Sequence, residues 1–186
     1  MYSRTFVHGF TAALTAALTL SGVHAYAAPA SGDQLLAPRV VTYDAGASAE
    51  FKAAVDRGAA IWNESVDAVE LRPAAAGQRA NIRILADNGW PRALTTSLGN
   101  GTVYIGREAV NEGYNTVRIS AHELGHILGL PDRKPGPCTS LMSGSSAGVS
   151  CTNPYPDAAE KAQVEGNFGV APDRPTTIAR DTVIVD

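Results

Sequence analysis

The chain has 186 residues, 45% hydrophobic and 18% charged, with a formal net charge of -3. These values exclude collagen-like, disordered and polytopic membrane classes and leave room for about one globular domain. Without a Lys/Arg run there is no electrostatic footprint for a phosphate backbone, so nucleic acid is not an expected partner, and two cysteines are too few for a disulfide-dense scaffold or a four-thiolate zinc site.

In chain order, the first feature is an export signal. Arg4 is the only charged residue before Asp33, an apolar run from Phe10 to Leu20 follows it, and Ala25-Tyr26-Ala27 makes a small-x-small cleavage site. The apolar run is short of the roughly 20 residues that span a bilayer. We therefore read residues 1–27 as a signal peptide, residues 28–39 as a short pro-segment or leader, 40–169 as the working domain and 170–186 as a C-terminal tail. Cleavage after Ala27 removes His8 and His24, which leaves His122 and His126 as the only histidines of a secreted, extracellular chain with no membrane attachment. The leader contains no cysteine that could offer a thiolate to a metal.

Val40 to Tyr43 is β-branched and aromatic and predicts a first strand, ended by Asp44-Ala45-Gly46. Ser48 is placed to cap a helix in which Phe51, Val55, Ala59 and Trp62 recur at spacings of three or four. Val69-Glu70-Leu71, Asn81 to Leu85 and Thr102 to Gly106 read as further strands, separated by the turns Asp87-Asn88-Gly89 and Leu98 to Gly101. Asn115 or Thr116 opens a second long helix, from about Val117 to Leu128 and closed by Gly129. After a Gly/Ser/Pro-rich stretch from Pro135 to Pro156, Asp157 with Glu160 forms a capping-box start to a last helix through Val164. The run Thr182-Val183-Ile184-Val185 has no evident place.

The second helix carries His122-Glu123-Leu124-Gly125-His126. Residues four apart on a helix project from one face a turn apart, so both imidazoles can share one ion. Gly129 can take the positive φ that ends the helix, and the reversed chain can return Asp132 to the same ion, completing His-Glu-x-x-His-x-x-Gly-x-x-Asp. Three protein ligands leave the fourth position of a tetrahedral zinc for water, the arrangement of a catalytic site. Glu123 lies beside that position and is the candidate catalytic base.

The extended motif, with Ser140 to Gly144 downstream and Cys138 and Cys151 bracketing it, resembles the snapalysin family of small neutral zinc endopeptidases, within the metzincin group. Val41 to Tyr43, Ile61-Trp62-Asn63 and Pro137 to Pro156 extend the likeness, so it covers residues 40 to about 168. The resemblance implies zinc held by His122, His126 and Asp132, catalysis through Glu123, and Met142 as the Met-turn residue beneath the metal. It also implies protein or peptide substrates with an aromatic residue after the cleaved bond. Without the motif, Met142 reads as a plain packing residue. Cys138 and Cys151 read as a disulfide closing a loop of about 14 residues, against free thiols. Family members bind calcium through an Asp-x-Thr segment ahead of the zinc helix, where this chain has Asn115-Thr116-Val117. Asn115 is retained as a calcium donor through its carbonyl alone, beside a simple helix N-cap.

The expected fold is α+β: a small single-domain metzincin-like fold with a twisted mixed sheet, a long N-terminal helix, a zinc-binding helix and a C-terminal helix. Val103, Tyr104 and Ile105 are the candidate edge strand for an extended substrate, against an ordinary core strand. The expected form is a monomeric zinc endopeptidase; the alternative is a secreted metal-binding or inhibitory module with the same fold and no turnover.

Overall fold

A computed structural model describes residues 37 to 169 and the backbone of 182 to 185. The expected signal peptide and most of the leader lie outside the described residues. Strand β1 (Arg39–Ala47) runs through the Asp44-Ala45-Gly46 segment that was expected to end it, and a single 3-10 turn at Ala49–Phe51 leads into α1 (Lys52–Ser65). Ser48 does not cap that helix; its hydroxyl turns back and donates to the Ala45 carbonyl at 2.7 Å. The helical stripe is as expected, with Phe51, Val55, Ala59 and Trp62 all buried.

Strands β2 (Val69–Pro73), β3 (Ile82–Asp87), β4 (Arg92–Ser97) and β5 (Asn100–Gly106) follow, then α2 (Arg107–Asn111), α3 (Thr116–Ile127), a 3-10 segment (Leu141–Ala147), α4 (Ala158–Phe168) and β6 (Thr182–Val185). The sheet order is β2-β1-β3-β5-β4-β6. β2, β1, β3 and β5 are parallel neighbours in that order, while β4 lies antiparallel to both β5 and β6. The architecture is therefore α+β with a mixed sheet.

The edge-strand reading of Val103, Tyr104 and Ile105 is corrected here. β5 pairs with β3 on one side and β4 on the other, so its backbone groups are engaged on both sides. Val103 and Ile105 are fully buried, as a central strand requires. The strand that sequence reading did not find, β4, lies outside β5 and packs against α3.

Apolar side chains from one sheet face, α1, α3 and α4 make one core, in which Trp62, Leu124, Ile127, Leu141 and Met142 are fully buried. The Trp62 indole N–H donates to the Ala121 carbonyl at 2.8 Å, pinning α1 to the turn of α3 that precedes His122. α4 starts as predicted: Asp157 accepts from the Glu160 N–H at 2.8 Å, and Glu160 accepts from the Asp157 N–H at 2.7 Å.

Candidate metal centre

Helix α3 is fixed at both ends by local chemistry. Asn115 Oδ1 accepts from the Arg118 N–H at 2.9 Å, satisfying one of the orphan donors of the first turn. That is the capping alternative weighed for this residue, and calcium gains no support. At the other end Gly129 adopts φ +90°, its N–H donates to the His126 carbonyl at 3.0 Å, and the Leu130 N–H donates to the Gly125 carbonyl at 3.0 Å. This paired closure needs the left-handed conformation that glycine adopts without steric cost. It reverses the chain and sends Pro131 and Asp132 back along the helix.

His122, His126 and Asp132 are brought together, and the first two are fully buried. Their Nε2 atoms are 3.0 Å apart, and Asp132 Oδ1 lies 3.4 Å from one and 3.5 Å from the other. Each ring has a carbonyl on its far nitrogen. His122 Nδ1 is 3.0 Å from the Leu141 oxygen, and His126 Nδ1 is 2.8 Å from the Leu130 oxygen. A carbonyl only accepts, so both Nδ1 atoms carry the proton and both Nε2 atoms of the neutral rings present lone pairs. Two lone pairs and a carboxylate oxygen then converge on one point with no proton among them. The donors of a tetrahedral zinc, each about 2.1 Å from the ion, lie about 3.4 Å from one another, so the observed spacing fits that ion.

The neighbouring segments hold the cradle in place. Glu123 is fully buried on the same helix turn. Met142 packs beneath the helix, where a Cβ on Gly125 would come within 2.8 Å of its sulfur. Gly125 lies between the two histidines, so the close approach of Met142 depends on the missing side chain. Cys138 and Cys151 are joined, with Cα atoms 5.4 Å apart, across the loop that contains Met142.

Two organising residues escaped sequence reading. Arg118, one turn before His122, is buried and donates to the Asn153 and Ser140 carbonyls and to Ser143 Oγ at 2.6, 2.8 and 2.9 Å. An arginine on the stripe that continues to His122 was the available signal. Glu160 is fully buried, and besides its capping role it accepts from Ser140 Oγ at 2.5 Å, the Met142 N–H at 2.9 Å and the Leu141 N–H at 3.1 Å. It thereby fixes the residue whose carbonyl orients His122. The capping box was visible in the sequence; its second set of donors was not.

Comparison with known proteins identifies the family. Residues 39–170 match the model of the Streptomyces extracellular neutral proteinase (M7) family. The extracellular small neutral protease of Streptomyces caespitosus is 42% identical over 125 residues, covering 67% of this chain and 92% of that protein. The protein of the same name from Streptomyces coelicolor is also 42% identical, but this chain spans only 57% of its length. Among solved structures, archaemetzincin from Methanopyrus kandleri aligns with a TM-score of 0.45 at 15% identity, over 75% of this chain and 99% of that one. Through the family match and the Streptomyces caespitosus relative, the chain belongs to the Streptomyces extracellular neutral proteinase (M7) family.

Proposed function

We propose that this chain is a secreted zinc endopeptidase, with residues 1–27 as export signal, 28–39 as leader and 40–169 as the protease domain. The observation that carries the reading is the convergence of two imidazole lone pairs and one carboxylate oxygen at zinc spacing. His122, His126 and Asp132 would hold the ion, and the Leu141 and Leu130 carbonyls keep each ring in the tautomer that ligation requires. When bound, zinc supplies Lewis acidity to the scissile carbonyl and to an attacking water. The Glu123 carboxylate takes the proton of that water and passes it to the leaving amine. Burial of Glu123 excludes bulk water from the proton it carries. Met142 supports the helix from below, and peptide substrates with an aromatic residue after the scissile bond follow from family membership.

The test is casein cleavage that a chelator abolishes and added zinc restores, run beside Glu123→Gln. The variant is expected to bind one zinc per chain and to lose roughly a hundredfold or more in turnover, the range for removing a general base. Stoichiometric zinc in the wild-type chain without any proteolysis would instead favour a binding or inhibitory module.

A further inference from the structure

The family match ends at residue 170, yet the chain goes on to add a strand to the sheet. β6 lies antiparallel on β4, with Thr182 opposite Thr95, Val183 opposite Leu94, Ile184 opposite Ala93 and Val185 opposite Arg92. The matched region by itself is a five-stranded sheet in the order β2-β1-β3-β5-β4, whose two outer strands are β2 and β4. Of these, β4 packs against α3, the helix that carries His122, Glu123 and His126. An extended peptide gains most of its backbone hydrogen bonds by adding to an open sheet edge. The edge beside the metal cradle is therefore the place where a substrate can be held extended, and in this chain its own tail occupies it.

We propose that Thr182 to Val185 is a built-in competitor for that edge: an intramolecular strand that a substrate must displace before cleavage. The proposal rests on the endopeptidase reading. Its chemistry suits the task, since all four residues are β-branched and none is charged, the composition that favours a strand. Residues 170 to 181 tether it, a segment that can span up to about 40 Å when extended, so the tail competes at a fixed high local concentration. A binding edge that is free only part of the time lowers apparent substrate affinity in proportion to the fraction that is free.

The test uses the full chain with Val183→Pro and Ile184→Pro together, because proline cannot donate to the ladder. Two readouts are taken. Amide hydrogen exchange of Arg92 to Thr95 is expected to be slow in the wild type and faster in the variant. With a peptide substrate, KM is expected to fall about three- to tenfold while kcat stays unchanged, the range for losing a few cross-strand pairs. The free peptide Thr-Val-Ile-Val-Asp is expected to raise the KM of the variant back toward the wild-type value. Equal exchange in both chains, or faster exchange with an unchanged KM, overturns the proposal. Absence of peptide cleavage in the wild type and in the variant alike, with β4 protection still dependent on the tail, instead overturns the endopeptidase reading on which the inhibitory role stands.

Discussion

At the scale of single residues, Glu160 has the largest reach for one side chain. Its two oxygens accept from four donors, three of them in the Ser140-Leu141-Met142 segment. Glu160→Gln places an amide NH2 against those donors, and the expected cost is about 2–4 kcal/mol in urea unfolding. Glu160 acts on the metal site through the Leu141 carbonyl, so the variant is also expected to bind zinc roughly tenfold more weakly, the range for disturbing an outer-shell partner. Val164→Ala, a buried change in the same helix, is the control that lowers stability and leaves zinc affinity unchanged. An equal loss of zinc affinity in both variants would reduce Glu160 to a structural residue. Much of the site was readable residue by residue: His122, Glu123, His126, Gly129 and Asp132 are fixed by spacing along one helix and the turn that ends it. The roles of Glu160 and Arg118 in the loop from Ser140 to Ser143 were not, because most of the partners there are backbone N–H and carbonyl groups 18 to 25 positions away, and a backbone group leaves no mark in the sequence.

At the scale of elements, the helices were the legible part. α1, α3 and α4 each combine an apolar period with a start or stop signal, and each forms within a few residues of the expected place. β4 was missed because its inward residues, Ala93 and Thr95, carry little hydrophobic signal, although both are buried. The error over β5 is of another kind: alternation at Val103 and Ile105 announces a strand with one buried face, but says nothing of how many neighbours it has. The loop from Cys138 to Cys151 contributes Leu141 and Met142 to the site, so its covalent closure bears on function as well as on folding. Removing the disulfide by Cys138→Ala with Cys151→Ala is expected to cost about 3 kcal/mol in the chain-entropy account and to lower activity measured per folded molecule. Full activity in the folded fraction would show that the loop keeps its shape without the bond.

For the whole molecule, the metal and the pH should both register as stability. In the proposed zinc enzyme the ion binds the assembled cradle and not the unfolded chain, so excess chelator is expected to lower the melting temperature by about 10 °C, from roughly 4 kcal/mol of ligand stabilisation in a domain of this size. An unchanged melting curve would mean that the cradle holds no ion. The Asp87 carboxylate accepts from Arg92 at 2.5 Å, joining the end of β3 to the start of β4, and this bond holds its pKa below the ordinary carboxylate value. A depressed carboxylate stabilises the fold above its unfolded pKa, and that contribution fades as pH falls through the folded value. The gap in melting temperature between wild type and Asp87→Asn is thus expected to be full near pH 7 and to close only as pH falls below the ordinary carboxylate range. The dependence of His122 on Glu160 has one more consequence, concerning time. Leu141 and Glu160 follow His122 by 19 and 38 positions, and a chain made from its N-terminus presents them last. A nascent molecule that has released both histidines still lacks the support that aims the first of them, so the cradle is complete only once the helix carrying Glu160 has been made.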